Sequence, residues 1–114
     1  SQTSTIKGYN KFVKDTIKRI SKETNIAEKD ISKDLVNDVF NKLHELQDKG
    51  YISSYRGSQG SVQARNKLFE IKINNPSLND KDLEDKLFDS LTKTYEEQAQ
   101  KDLEDETDET EIDY

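Results

Sequence analysis

Apolar residues recur at intervals of three and four positions between residues 31 and 46. The stripe they form contains Ile31, Leu35, Val39, Leu43 and Leu46. Because this spacing returns a side chain to the same face of an α-helix at each turn, it predicts an amphipathic helix that must bury that face. The stretch ends at Lys49-Gly50, and a basic residue followed by glycine is typical of a helix C-terminus.

Two other stretches show the same periodicity. The first contains Tyr9, Phe12, Val13, Ile17 and Ile20, and it stops near Asn25, a residue type that tolerates the left-handed backbone at a helix end. The second follows Pro76, begins with a possible capping box at Ser77, and contains Leu83, Leu87, Phe88, Leu91 and Tyr95. We therefore predict three amphipathic helices, of which the first two pack as a helical hairpin.

Residues 51–73 do not fit this helical pattern and predict a β-hairpin. The segments YISSYR (51–56) and KLFEIKI (67–73) have the composition of strands, and residues 57–61 have that of a loop. The predicted fold class is therefore α+β. It consists of a helical hairpin packed with a small antiparallel β-hairpin or wing, a third amphipathic helix and a disordered acidic tail.

The composition limits the size of the core. Of 114 residues, 30% are hydrophobic and 37% are charged, and the mean hydropathy is −1.08. Such a chain can bury little apolar surface, so we expect flexible ends or a partner that supplies further burial, for which a homodimer is one solution. We expect a flexible N-terminus at 1–8, a single DNA-binding-type domain at 9–100 and an acidic disordered tail at 101–114.

Charge is distributed unevenly along the chain. Residues 1–75 contain 14 basic and 9 acidic residues, a net charge of +5, whereas residues 76–114 contain 4 basic and 15 acidic residues, a net charge of −11. The overall charge of −6 is thus weak evidence against binding to a polyanion, because attraction depends on the face presented.

Several classes of function are disfavoured by residue content. There is no cysteine and only one histidine, His44, so we expect no metal and no cofactor. A chain this small offers little room for a cleft, so we expect no enzymatic activity. The acidic cluster Asp80, Asp82, Glu84 and Asp85 lacks the glycine of a calcium-binding loop. No apolar run is long enough to span a membrane and no leader is recognisable, so we expect a cytoplasmic protein without membrane contact.

Part of the chain resembles the HU and IHF family of DNA-bending proteins. The resemblance covers residues 17–65 and rests on Ile17, Ile20, Ile26, Val36, Val39-Phe40, Lys49-Gly50, Gly57 and Gly60. Asn75-Pro76 also resembles the Asn-Pro at the tip of that family's DNA-binding arm. The resemblance implies a dimeric helical body with β-arms that enter the minor groove of DNA.

A second resemblance is to winged helix-turn-helix proteins. Their recognition helix typically ends L-x-x-L-x-x-K-G-Y-I before the wing, and this ending matches Leu43, Leu46, Lys49, Gly50, Tyr51 and Ile52. It implies that residues 53–73 form the wing. Both resemblances imply binding to DNA, and the choice between the two topologies stays open.

The predicted β-hairpin supplies most of the candidate DNA contacts. Arg56, Arg65 and Lys67 are expected to contact phosphates, and Tyr55, Gln59 and Gln63 to contact bases or sugars. The candidate nucleic-acid-binding residues are Lys49, Tyr55, Arg56, Gln59, Gln63, Arg65, Lys67 and Lys72. The alternative is a solvated hairpin whose charges serve only solubility.

Two functional hypotheses follow. The first is a small dimeric protein that binds double-stranded DNA through the hairpin and organises it or regulates transcription, replication or partition. The richness in lysine and asparagine indicates an AT-rich phage or plasmid source. The second is a non-enzymatic protein-interaction module, an assembly factor or inhibitor, that acts through its acidic C-terminal helix and tail. That tail could bind a basic protein, imitate nucleic acid, fold back on the basic part of the chain, or serve only solubility.

Overall fold

The protein folds as a bundle of α-helices. The computed structural model describes residues 2–55 and 58–112, with side chains described for 6–55 and 58–106. Its elements are α1 (Gln2–Thr24), a short 3-10 turn (Glu28–Asp30), α2 (Lys33–Asp48), α3 (Gln59–Asn74) and α4 (Asp80–Ile112). No β-strand occurs in the described ranges, so the predicted α+β class is wrong, and so are the winged-helix and HU-like topologies that need paired strands.

The structure confirms α1 and α2, the first two helices predicted from the spacing of apolar residues. The side-chain oxygen of Ser32 accepts a hydrogen bond from the backbone N–H of Leu35, which caps α2 at its N-terminus. Asn25 has a φ of 63° and Gly50 has a φ of 77°. Both residues therefore adopt the left-handed conformation expected where a helix ends.

The predicted β-hairpin is the main error of the sequence analysis, because residues 59–74 form α3. Ser58 caps this helix by accepting a hydrogen bond from the N–H of Ser61 at 3.2 Å. Ser61, Ala64, Leu68 and Ile71 are buried at intervals of three and four. Phe69 is also fully buried, so apolar side chains occupy more than one face of α3 and obscure its helical period.

α3 is the central helix and packs against all three others. Its small residues Ser61 and Ala64 are almost inaccessible to solvent, which permits close approach of neighbouring helices. The core around it is built from apolar side chains of all four α-helices, and the largest that are fully buried are Phe69, Ile20, Leu46, Leu68, Leu87, Val36 and Val39. A helix that is surrounded in this way cannot show the single apolar stripe of a surface helix.

The last helix is longer than the core it covers. Asn79, and not the predicted Ser77, caps α4 by accepting from the N–H of Asp82 at 2.9 Å. Leu83, Leu87 and Leu91 are buried against the bundle. The helix then continues to Ile112, through residues 101–112, where we expected a disordered tail. At 1.5 Å per residue its 33 residues span about 50 Å, which accounts for the elongated shape of 67 × 30 × 28 Å.

The N-terminal segment is helical. Residues 2–8, predicted to be flexible, form the first two turns of α1. This part of the helix extends past the bundle, since Val13 is the first buried apolar side chain in α1. α1 and α4 therefore both carry helical segments that the core does not cover.

Candidate functional site

The predicted nucleic-acid-binding residues do not form one surface. Lys49 lies at the C-terminus of α2, and Tyr55 lies in the α2–α3 loop with its side chain 81% exposed. Arg56 lies outside the described residues. The remaining five lie along α3, where a helical turn every 3.6 residues places Gln59, Gln63 and Lys67 on one side and Arg65 and Lys72 on the other.

Three of these basic residues are already paired with carboxylates. The Arg65 guanidinium binds Glu23 of α1 and is only 11% exposed. The amino group of Lys67 lies 3.7 Å from Glu70, and that of Lys49 lies 3.1 Å from Glu45. These charges hold helices together or sit within one helix, which leaves less positive potential for phosphate.

An ion cluster centred on the buried side chain of Lys42, which we call the Lys42 cluster, joins α2 to α4. The Lys42 side chain is 6% exposed, and its amino group lies 2.6 Å from Glu84, 3.0 Å from Glu45 and 4.0 Å from Asp80. Lys49 lies 3.9 Å from Glu84 on the same cluster. The sequence analysis did not identify this cluster, because nothing in the spacing shows that residues 42 and 84 meet.

The protonation of the Lys42 cluster follows from these distances. Burial by itself would lower the pKa of Lys42, but hydrogen bonds to Glu84 and Glu45 and the attraction of Asp80 outweigh it and raise the pKa. Hydrogen bonds from Lys42 and Lys49 lower the pKa of Glu45. Lys42, Lys49 and Glu45 therefore stay charged at neutral pH, and their ion pairs make the cluster a structural clamp between α2 and α4.

α1 presents a row of exposed lysines, which we call the lysine row. It consists of Lys7, Lys11, Lys14, Lys18 and Lys22. Their spacing of three or four places them on one side of the helix over a length of about 22 Å. None of them forms an ion pair with a described side chain. The lysine row is therefore the least neutralised positive surface in the described part of the chain.

An open apolar groove lies beside the lysine row, between α1 and the start of α2. This α1 groove is floored by Val13 and Ile17, and its rim carries Asn10, Lys11, Lys14 and Lys33. The groove holds about 430 Å³ and its exposed lining is mostly hydrocarbon.

Large apolar side chains extend along α1 beyond the α1 groove. Ile6 is 60% exposed and Phe12 is 55% exposed, although the Phe12 ring lies 6.5 Å from that of Phe40 on α2. Such a concentration on one helix is typical of a surface that a partner covers.

The far part of α4 is the second uncovered surface. We define the α4 arm as residues 95–106. Tyr95, Ala99 and Leu103 continue the four-residue spacing of the buried Leu83, Leu87 and Leu91. Tyr95 is 52% exposed and Leu103 is 58% exposed. This regular repeat is visible in the sequence and could have identified the arm before the structure.

The α4 arm is strongly acidic. It carries one lysine, Lys101, and six exposed carboxylates: Glu96, Glu97, Asp102, Glu104, Asp105 and Glu106. Gln98 donates a hydrogen bond to Asp102 at 2.9 Å, and Gln100 donates to Glu104 at 3.4 Å. These hydrogen bonds between side chains four residues apart stabilise the helix, so the apolar stripe and the carboxylates keep fixed positions along the arm.

Other kinds of site find no support in the described residues. Within residues 2–55 and 58–112 there is no group of three or more side chains suited to hold a metal ion. His44 is exposed on α2. None of the four helices, as far as they are described, is both long and apolar enough to cross a bilayer. Comparisons with protein-family models, curated proteins and solved structures found no match to this chain.

Proposed function

We propose that this protein is a non-enzymatic protein-interaction module whose α4 arm binds a basic and partly apolar surface on a partner protein. One observation carries the proposal. The apolar repeat that packs α4 on the bundle continues past Leu91 to Tyr95, whose half-exposed side chain reaches Gly60 of α3, and then to Ala99 and the exposed Leu103. An apolar stripe on a projecting helix suits recognition by a groove, which reads residues at such intervals.

The charges and the apolar stripe have separate roles in this function. Covering a tyrosine and a leucine that are now half exposed contributes about 1 kcal/mol each, since full burial of a large side chain contributes about 1.5–3 kcal/mol. The six carboxylates accelerate encounter with a basic partner and exclude acidic ones, and their contribution decreases as salt rises. Binding should therefore depend on both the apolar stripe and the ionic strength.

A peptide titration tests this proposal. The probe is a labelled synthetic helix with leucines at every fourth position and lysines beside them, and its control is a peptide of identical composition in scrambled order. Fluorescence anisotropy should show tighter binding of the ordered peptide to the full chain. The double variant Tyr95→Gln/Leu103→Gln should reduce that preference about thirtyfold, as a loss of about 2 kcal/mol implies.

The exposed Tyr55 supplies a matched control for the peptide titration. Tyr55→Gln removes an exposed tyrosine from the α2–α3 loop and should leave binding unchanged. Equal binding of the ordered and scrambled peptides would show only non-specific attraction between opposite charges and would overturn the proposed function. Equal loss in the Tyr55 variant and the arm variant would do the same, because the contact would not lie on the α4 arm.

A second candidate function is binding to the backbone of double-stranded DNA, and the lysine row favours it. Five unpaired lysines over about 22 Å match the length of several phosphates along one strand. The test is a titration of a fluorescent duplex at two salt concentrations. Lys7→Gln/Lys18→Gln should weaken binding and reduce its salt dependence, whereas Lys81→Gln/Lys86→Gln on α4 should not. Absence of binding at low salt would eliminate this candidate.

A further inference from the structure

The α1 groove and the α4 arm are complementary to each other. The groove has an apolar floor with three lysines on its rim, and the arm has an apolar stripe with carboxylates beside it. We infer that the α4 arm of one copy of this protein occupies the α1 groove of a second copy. This inference rests on the proposed function, because it names the partner that the arm binds.

Charge complementarity extends over the whole of both helices. α1 contains six basic and two acidic residues, and α4 contains four basic and fourteen acidic residues. Two α1 helices would repel each other, and so would two α4 helices. Pairing of α1 with α4 from another copy brings opposite charges together. Charge therefore favours this contact over α1 with α1 or α4 with α4.

The apolar parts of the two surfaces also correspond. On α1, Val13 and Ile17 are four residues apart, and the exposed Ile6 continues the same face toward the N-terminus. On the arm, Tyr95, Ala99 and Leu103 repeat at the same interval of four. Equal spacing allows side chains of one helix to lie between those of the other, as in ordinary helix packing.

A second copy is required because the arm cannot reach its own groove. α4 is one uninterrupted helix from Asp80 to Ile112, and its last buried leucine is Leu91. Tyr95 still reaches Gly60 of α3, and beyond Tyr95 the arm moves away from the bundle, which is why the molecule measures 67 Å along one axis and 30 Å or less along the others. Folding back would require a break in the helix and the loss of its backbone hydrogen bonds.

The predicted association is modest in strength and sensitive to salt. A single helix in a groove buries less than the roughly 1,600 Å² of a standard interface, so we expect a dissociation constant on the order of micromolar. A reciprocal exchange of arms closes a dimer, whereas one-way contacts propagate into longer assemblies. Both products follow from the same arm-in-groove contact, and both raise the mass above that of one chain.

Sedimentation equilibrium of the full chain tests this contact through complementary variants. The groove variant is Lys11→Glu/Lys14→Glu, and the arm variant is Glu96→Lys/Asp102→Lys. Each variant alone should be monomeric, because its altered surface repels the intact one. An equimolar mixture should associate again, since the intact arm of the groove variant fits the intact groove of the arm variant and the two altered surfaces also attract.

Two control variants carry the same charge changes at other exposed positions. Lys81→Glu/Lys86→Glu matches the groove variant, and Asp85→Lys/Asp89→Lys matches the arm variant. Both controls should associate like the unaltered chain. If net charge alone governed association, the controls would dissociate too, and the inference would be overturned.

The remaining outcomes separate this inference from the proposed function. An unaltered chain that stays monomeric up to about 1 mM, a thousandfold above the expected constant, overturns self-association. If that chain still prefers the ordered basic peptide, the proposed function stands with a different partner. If it shows no preference, both are overturned. The unaltered chain could associate while the mixture of the two variants stays monomeric. That result would show that the contact lies on another surface, and it would also overturn the inference.

Discussion

The amino group of Lys42 on α2 lies 2.6 Å from a carboxylate oxygen of Glu84 on α4. Glu84 is in the second turn of α4, next to the first leucine that packs on the core, Leu83. The ion pair and the buried Leu83 therefore hold the same turn of α4 against the bundle. Because α4 is one continuous helix, the direction in which its arm leaves the bundle depends on this fixed beginning.

We expect replacement of Lys42 to destabilise the fold more than removal of any other lysine. Lys42→Ala leaves Glu84, which is 24% exposed, with only the half-exposed Lys49 as its counter-charge in the cluster. The cost should be about 2 kcal/mol, below that of breaking a fully buried pair because water still reaches Glu84. Urea unfolding measures it. Lys49→Ala, at a half-exposed member of the same cluster, is the control and should have a much smaller effect.

The Lys42 cluster should also make stability depend on pH. The pKa of Glu45 is lowered from 4.5, so its contribution is complete above that value and is lost as the pH falls through the lowered pKa. The pKa values of Lys42 and Lys49 are raised from 10.5, so their contribution is complete below that value and is lost as the pH rises through the raised pKa.

Thermal unfolding followed by circular dichroism across the pH range tests this dependence. The melting temperature should decline on both the acid and the alkaline side. The difference in melting temperature between Lys42→Met and the unaltered protein should become smaller at acid and at alkaline pH. The variant already lacks the ion pairs of Lys42, so it has less stability to lose when these groups change protonation. Curves that stay parallel from acid to alkaline pH would contradict the assignment of these pKa shifts to Lys42.

Two glycines should respond to alanine in opposite directions. Gly8 lies inside α1 with nothing near the position of a new Cβ, so Gly8→Ala should stabilise the helix by about 0.5–1 kcal/mol. Gly50 has a φ of 77°, which an L-residue adopts with strain, so Gly50→Ala should destabilise by about 1 kcal/mol. Urea unfolding of both variants measures the signs, and a stabilising Gly50→Ala would show that the helix end is not left-handed.

The N-terminus of α3 provides a test of helix against hairpin. Ser58→Ala removes the side-chain acceptor for the N–H of Ser61 and should cost about 1 kcal/mol. Ser58→Asp keeps an acceptor and should restore most of that loss. If residues 59–74 were strand and loop, Ser58 would cap no helix. Ser58→Ala would then not destabilise the protein, and Ser58→Asp would be no more stable than Ser58→Ala. Ser54→Ala, in the preceding loop, is the control and should be silent.

Where one helical face met the core, the sequence was sufficient for prediction. The stripe from Ile31 to Leu46 predicted α2, and the local signals at Asn25 and Gly50 predicted the ends of α1 and α2. The prediction for residues 59–74, which form α3, was wrong for a physical reason. Its segment KLFEIKI is a short apolar run with β-branched residues, and only burial between three other helices decides that it is helical.

The candidate binding surfaces also divide into those that local spacing in the sequence indicates and those that depend on tertiary contacts. The sequence contains the three- and four-residue spacing of the α1 lysines and the four-residue repeat from Leu83 to Leu103. In contrast, the basic residues assigned to DNA contact were chosen along a hairpin that does not exist. Their pairing with distant carboxylates, such as Arg65 with Glu23, depends on which helices pack side by side.

The sequence by itself determined the helical character of three segments, the helix ends at Asn25 and Gly50, and the separation of positive charge toward one end and negative charge toward the other. These are local properties, set by backbone preference and the period of the apolar residues within one turn or two. Tertiary structure alone decided that residues 59–74 form a central helix, that Lys42 meets Glu84, and that α4 projects beyond the core. Each of these depends on contacts between residues far apart in the chain, whose pairing no local spacing specifies.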